Sequence, residues 1–428
     1  MKLSKKLSKK TIGRLQDLIM VILSLTAVLI LVQLPIVKNG WSGKVSSLLS
    51  GRPGAAQQEQ PRSVDGAIAS LHFVVTGDGE YGRFGRLYAL KDDPLLQQIL
   101  PLFQEALGSA ADMSAVAGQT LQAALARPSL YLDLDTVLPQ SVVAAWLGER
   151  MDAERPVRSL VLSAEEDTAD LYLICGEGEI MRYRTALPSA AVLEVAGDVS
   201  PNGCHFAYET NYGPLAPYTV LVSELAPTPD LSAGLPPGYS AFDLLSILGF
   251  NPYTTFRYTE NSGVEVVEES PHTLRIGPDG TVVYLGSEDV IDEMYRLPDR
   301  DERAPEVNAL AAAKHIADVL TEGTGASPLT LTGVESMDDG FRVTFAYEAE
   351  GVPIHLRSGE DALEVITSGE TVTSFIYHCR SYMPLETRGE LMPPEMAVAI
   401  ASLHPGAGLS VGYVDGGGDV LSVQWLAN

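Results

Sequence analysis

The chain has 428 residues, 46% of them hydrophobic and 20% charged, enough apolar material for two to four packed domains. Its formal net charge of −26 is unevenly spread: of 29 Lys and Arg, eight lie in residues 1–44 with one acid, Asp17, so residues 45–428 hold 21 bases against 54 acids. A surface of that sign repels nucleic acid and anionic lipid, which excludes both as partners of the larger part of the chain.

Residues 1–16 form a basic tail carrying Lys2, Lys5, Lys6, Lys9, Lys10 and Arg14. Residues 17–38 follow as a transmembrane helix. The stretch "LIMVILSLTAVLILVQLPIV" (18–37) holds no charge, and twenty such residues as a helix span roughly 30 Å, the thickness of a hydrocarbon core. A cleaved signal peptide is the rival reading, but the run is long for one and no small-x-small site follows closely. The lysines before the span place the N-terminus in the cytoplasm and everything after it outside the cell membrane. Within the span, Ser24, Thr26, Ala27 and Gln33 are the small or polar residues through which a second membrane helix would pack and hydrogen-bond. A lone helix whose Ser and Thr bond back to their own backbone reads the same residues equally well.

A Gly-, Ser-, Pro- and Gln-rich stalk occupies 39–64. Beyond it, three extracytoplasmic segments are expected. The first, 65–225, opens with strand "SLHFVVT". Helical spacing follows in "DPLLQQILPLFQEALGSA" and "MSAVAGQTLQAALARP", then strand "SLYLDLD" and helix "VLPQSVVAAWLGERM". Further strands fall in "SLVLSA", "ADLYLICGEGEIMRYRTA" and "GCHFAYE". The Pro-rich "LAPTPDLSAGLPPGY" (225–239) reads as a boundary. A central segment, 226–300, holds one short helix and a meander turned by "NSG" and "GPDG". The last, 301–428, opens with helix "EVNALAAAKHIADVLTEG" and continues through strands including "TVTSFIYHCRSY" and helix "PPEMAVAIASLH". The predicted class is α+β: antiparallel β-meanders, each covered by helices on one face.

The chemistry-bearing motifs are few. "LYLDLDTVLP" (130–139) resembles the first motif of the haloacid dehalogenase phosphatases, with Asp133 as nucleophile and Asp135 as acid–base. Ser163, Lys314 and Asp338–Asp339 occur in the right order for the remaining motifs. Against this, the nucleophile strand of that fold is buried on both faces and reads as an unbroken apolar run. Here Leu130, Leu132 and Leu134 alternate with Ser129, Tyr131, Asp133 and Asp135, so a half-exposed strand with a wet face is expected. "TGDGEYG" (76–82) has dinucleotide-loop glycines but strand character after it, and Asp78 and Glu80 would repel phosphate. The seven histidines show no metal-ligand spacing, and neighbours such as Cys204–His205 and His378–Cys379 point to opposite faces of a strand. Three scattered thiols, Cys175, Cys204 and Cys379, make no disulfide framework; buried free thiols or one Cys175–Cys204 bridge fit. No catalytic residue, cofactor or metal is expected.

The order of features is similar to that of the YycH family: a short basic tail, one span and a large exported α+β part. Its local carriers are "LYLDLDTVLPQSVVAAWLG", "YTENSGVEVVEESPHTLRIGPDGTVVY" and "YVDGGGDVLSVQWLA", with Trp146, Tyr258, Leu274, Arg275, Asp279, Gly280 and Trp425 holding the pattern. The C-terminal third also resembles the sister family YycI. The resemblance implies a non-enzymatic accessory protein of the WalK (YycG) sensor histidine kinase of Gram-positive bacteria. Such a protein tunes cell-wall metabolism through contacts of its span and ectodomain with the kinase and with a YycI-like protein. An exported phosphatase using Asp133 and Asp135, or a cell-envelope binding module, are the alternatives.

Overall fold

The computed structural model describes residues 63–428 apart from 78–81, 91, 152–154, 211–214, 224, 226, 289–292, 299–302, 358, 402–405 and 428. The expected tail and span, and nearly all of the stalk, lie outside the described residues. Among the described residues there are seven α-helices, and no helix is long and apolar enough to cross a membrane.

The first part of the chain builds a seven-stranded antiparallel sheet. Its strands are β1 (His72–Thr76), β2 (Arg83–Arg86), β3 (Ala111–Val116), β4 (Ser129–Pro139), β5 (Pro156–Ala164), β6 (Thr168–Cys175) and β7 (Ile180–Pro188), in the order β2-β1-β4-β5-β6-β7-β3. Successive strand residues point to opposite faces. Phe73, Val75, Leu130, Leu132, Leu160, Leu162, Leu171 and Leu173 therefore face one core. Helices α1 (Pro94–Gly108), α3 (Gln140–Trp146) and α4 (Ser189–Gly197) pack into that core. α1 starts cleanly because Pro94 needs no N–H and the Asp93 carboxylate accepts from the amides of Leu95 (2.9 Å) and Leu96 (3.3 Å). Val74, Tyr131, Val161 and Tyr172 face the other way, onto a second cluster completed by α2 (Gly118–Leu125) and by Phe206, Val220 and Val222 around the short pair β8 (His205–Phe206) and β9 (Val220–Leu221).

Three expectations are corrected here. "MSAV" is not helical: it belongs to β3, which ladders onto β7 across a register shift at Asp112, whose φ is +50°. Helix begins only at Gly118. The stretch 225–239 is not merely a joint, because it contains β10 (Thr228–Gly234), the middle strand of a small three-stranded sheet. Pro229 is tolerated because it sits where the ladder register shifts, a place that needs no donor. Finally, "TVTSFIYHCRSY" is divided between two strands of different sheets.

The remaining strands are β11 (Arg257–Thr259), β12 (Glu265–Glu269), β13 (His272–Ile276), β14 (Thr281–Leu285), β15 (Leu329–Met337), β16 (Gly340–Ala349), β17 (Val352–Leu356), β18 (Leu363–Ser368), β19 (Thr371–His378), β20 (Ser381–Gly389), β21 (Leu409–Asp415), β22 (Val420–Leu421) and β23 (Gln424–Ala427). Ten of them run β11-β12-β13-β14-β19-β18-β16-β17-β21-β23, with β15 pairing β16, to make an eleven-stranded sheet. Every pairing in it is antiparallel except β17–β21. The β14–β19 ladder carries this sheet across residue 300. β10 instead pairs β20 and β22.

Helix α6 (Pro305–Thr324) lies on this sheet against β15, β16 and β18 and touches α3 and α5 (Ala241–Ile247). It has Pro305 at its first turn and ends at Gly325, whose φ of +72° closes the helix as only glycine does without strain. Leu310, Ile316 and Leu320 of α6 share one continuous core with both sheets. Helix α7 (Pro394–Ala401) sets Ala397, Val398 and Ala401 against Leu409.

Candidate functional site

The most elaborate polar arrangement among the described residues sits on β4, where its ladder with β5 shifts register between Asp133 and Leu138. At that irregularity Asp135 adopts φ +57°, a left-handed conformation unusual for a non-glycine residue. Its carboxylate accepts from the Tyr88 hydroxyl at 3.1 Å, and Tyr88 also has φ +57°. Two left-handed side-chain-bearing residues tied to one another hold strain of about 1–3 kcal/mol each, of the kind that clusters at functional positions. Thr136 donates its hydroxyl to the carbonyl of Thr332 on β15, and the Ala69 amide donates to Thr330 Oγ1 at 3.0 Å. The irregular stretch of β4 is thus the joint between the two large sheets.

Asp133 faces the other side. Its Oδ2 accepts from the Tyr131 hydroxyl at 2.9 Å, its Oδ1 accepts from the Asp135 amide at 2.9 Å, and Arg158 Nε stands 3.8 Å from Oδ1. The Tyr131 oxygen also contacts Ser159 Oγ at 3.1 Å and the Tyr218 carbonyl at 3.3 Å. Burial, followed by the Asp133 charge, pushes the Tyr131 phenol well above its ordinary range, so it stays a donor. Burial opposes the Arg158 charge, but Asp133, Tyr131 and Asp135 outweigh it and raise the guanidinium. A cavity of about 610 Å³ opens beside this network, lined in part by Tyr131, Asp133, Arg158, Ser159, Tyr218 and Thr219. A second, of about 350 Å³, lies at the sheet joint against Ser70, Asp135, Thr136 and His355.

The expected wet face of β4 is therefore wrong. Ser129, Tyr131 and Asp133 are buried beneath α2 and the β8–β9 pair, while Leu130, Leu132 and Leu134 fill the main core. The strand is covered on both sides although the ladder is antiparallel; Tyr131 and Asp133 on its polar face are satisfied by hydrogen bonds, while the buried Ser129 hydroxyl has no hydrogen-bond partner among the described residues.

The structure brings Asp133 and Asp135 together but does not bring Ser163 to them. Asp133 pairs across the ladder with Ser159, while Ser163 pairs with Ser129, four residues and roughly 13 Å further along. The Ser163 hydroxyl is committed to the Ala124 carbonyl at 3.1 Å. Lys314 is held by Asp318 at 2.7 Å, and Asp338–Asp339 form the turn between β15 and β16. Among the described residues no group of three or more His, Cys, Asp and Glu is arranged to hold a metal ion. Cys175, Cys204 and Cys379 are free and buried.

Burial raises the Asp135 carboxyl above its ordinary range, with the Asp133 charge adding to the effect and His72 opposing it. The folded state then binds a proton at Asp135 more tightly than the unfolded state does. Between the ordinary carboxylate range and the raised value, stability falls as pH rises, and the full penalty stands above that window. Asp135→Asn keeps an acceptor for Tyr88 and removes the charge. It is expected to raise the urea midpoint at neutral pH, with the gain vanishing at pH below the ordinary carboxylate range. A gain independent of pH would show that the buried charge is not its source.

The residues singled out by family pattern fall elsewhere. Trp146 ends α3 and packs on the main core. Leu274 is buried in β13, and Arg275 beside it pairs with Glu260 at 2.9 Å. Asp279 and Gly280 make the turn into β14: the Asp279 carboxylate accepts from the Thr281 amide and hydroxyl, both at 3.0 Å, which lowers its pKa. Gly280 has φ +90°, and a Cβ there would stand 2.9 Å from the Cys379 carbonyl oxygen. Trp425 Nε1 donates to the Met392 carbonyl at 2.9 Å. Tyr258 lies on β11 with its hydroxyl donating to Glu268 at 3.2 Å. These are turn, core and strand positions that shape the fold; they do not converge on one site. Ser24, Thr26, Ala27 and Gln33 lie outside the described residues. Sequence reasoning missed the cover over β4 and the set of exposed aromatics on residues 242–258, whose one signal is the aromatic density of "GFNPYTTFRY".

No protein-family profile and no curated protein sequence matches the chain. The fold is similar to the crystal structure of YycH from Bacillus subtilis, with a TM-score of 0.51, 10% sequence identity, and a match covering 86% of this chain and 92% of that one. The chain therefore has a YycH-like α+β fold.

Proposed function

We propose, taking the YycH-like fold as premise, that this chain is a membrane-anchored, non-enzymatic regulator of a sensor histidine kinase. Residues 17–38 anchor it with the N-terminus in the cytoplasm, and the two-sheet body lies outside the membrane. It acts on a kinase of the WalK (YycG) type that governs cell-wall metabolism, by contacts of the span and of the body, alone or together with a YycI-like protein. The observation that carries this reading is the fold likeness over 86% of the chain. The uncharged run 18–37 behind a lysine cluster supports the anchor. The Asp133–Asp135 network fits the reading as a structural joint, since both oxygens of Asp133 are already engaged by the protein's own donors.

Within the span, Ser24, Thr26, Ala27 and Gln33 form the helix–helix contact. Exchanging residues 18–37 for an unrelated apolar helix of equal length is expected to abolish co-purification of the kinase from native membranes. Undiminished recovery of the kinase would remove the span from the contact.

A further inference from the structure

The chain keeps most of its large aromatic residues inside: Tyr131, Tyr172, Tyr284, Tyr347, Tyr377, Tyr413 and five phenylalanines are almost wholly enclosed. One short segment does the opposite. From α5 through β11, Tyr253 is 80% exposed, Phe256 70%, Tyr258 49% and Phe242 39%. Singly exposed apolar residues are ordinary; several aromatics gathered on one short segment are what a docking surface offers.

The segment is held in place by local hydrogen bonds. The Tyr253 amide donates to Asn251 Oδ1 at 3.0 Å, the Thr254 amide to the Asn251 carbonyl at 3.0 Å, and the Phe256 amide to Thr254 Oγ1 at 3.3 Å. Glu269 accepts from the Asn251 amide at 3.0 Å. The Phe242 and Tyr253 rings meet edge to face, 5.3 Å between centroids. Tyr258 lies on β11 and Phe256 immediately precedes that strand, its carbonyl accepting from the Glu268 amide at 3.0 Å. Aromatic side chains on a fixed backbone lose little freedom on binding, which is the pre-organisation a tight contact needs. β11 is also the terminal strand of the eleven-stranded sheet.

The rim of this surface decides what covers it. Glu268 accepts from the Tyr258 hydroxyl, Glu269 from the Asn251 amide, and Asp243 follows Phe242 on α5, with Glu260 and Glu265 beside Arg275 and Arg257. Those two arginines are already engaged by Glu265 and Glu260. The unneutralised carboxylates favour an occupant that brings positive charge. A second copy of the chain, with the same acidic rim and 54 acids against 21 bases in residues 45–428, is repelled, and so is an anionic lipid surface. We infer that Phe242, Tyr253, Phe256 and Tyr258 form the docking surface for a protein segment that presents aliphatic side chains ringed by Lys or Arg, carried by the extracytoplasmic part of the regulated kinase. This rests on the function proposed above.

The test uses the full-length chain in native membranes and reads kinase recovered per unit of bait. Tyr253→Ser/Phe256→Ser is expected to lower recovery at least tenfold, and Asp243→Lys/Glu268→Lys to lower it comparably, with the parent's recovery falling as salt rises. The replaced side chains are exposed, and an unchanged thermal unfolding profile confirms that the variants fold. Recovery from both variants equal to the parent's overturns the docking surface and leaves the regulator reading standing. Absence of kinase from the parent overturns the regulator reading and this partner with it. A photocrosslinking residue at position 256 that attaches to lipid or to a second copy of the chain overturns the assignment of the occupant.

Discussion

Tyr131→Ala lowers the unfolding free energy by about 3–5 kcal/mol, read as a shift of the urea midpoint at unchanged slope. The ring is fully enclosed on the second face of the seven-stranded sheet, edge to face with Phe206 at 5.1 Å between centroids. Its hydroxyl is the meeting point of Asp133, Ser159 and the Tyr218 carbonyl. Truncation therefore empties a ring-sized space and strips a buried carboxylate of a donor at once. Tyr131→Phe separates the two effects. It keeps the ring and loses only the hydroxyl, with an expected cost of about 1–3 kcal/mol for the partners left unsatisfied. If the Phe variant is as damaged as the Ala variant, the hydrogen-bond network dominates. If it is indistinguishable from the parent, the network adds nothing to stability.

Gly340→Ala is expected to cost more than a side chain of that size normally does. Gly340 opens β16 and pairs with Ser368 of β18. A Cβ there would overlap the Thr367 carbonyl oxygen and lie 2.8 Å from the Thr367 carbonyl carbon and 3.1 Å from the Ser368 Cα. All three are backbone atoms, so no rotamer relieves the clash. Overpacking of a core typically costs about 1–3 kcal/mol, and this contact sits at the upper end because the ladder itself must separate. Hydrogen exchange should show lost protection at the start of β16 and the end of β18. A variant with native protection and an unchanged urea midpoint would refute the close approach.

The parts of this fold that local rules govern were legible. α6 announces itself by Pro305 at its first turn and Gly325 beyond its last. "GPDG" supplies the Asp279 oxygens and the left-handed Gly280 that a turn between β13 and β14 requires. The failures share one cause, which is information supplied from far along the chain. Alternation on β4 was correctly seen, but whether its polar face meets water depends on β8 and β9, two-residue strands too short to carry any period. The register shift that turns Asp135 left-handed belongs to the β4–β5 pairing and to the contact of Thr136 with Thr332. Nothing within "LDLDTVLP" records it. β10 was masked by Pro229, Gly234 and the prolines on either side of it, and its two partners lie about 150 and 190 residues ahead.

That last arrangement bears on how the polypeptide is made. β10 is complete once residue 234 has been synthesised, yet its neighbours are Ser381–Gly389 and Val420–Leu421. β17 waits likewise for β21 as its parallel neighbour. A nascent chain halted before residue 381 has the seven strands of its first sheet in hand but carries β10 as an unpaired ribbon, open to any other extended chain it meets. Such long-range closure is slow. Protection of residues 228–234 during synthesis is thus a task for whatever accompanies the emerging polypeptide, and it ends only when the last forty or so residues arrive.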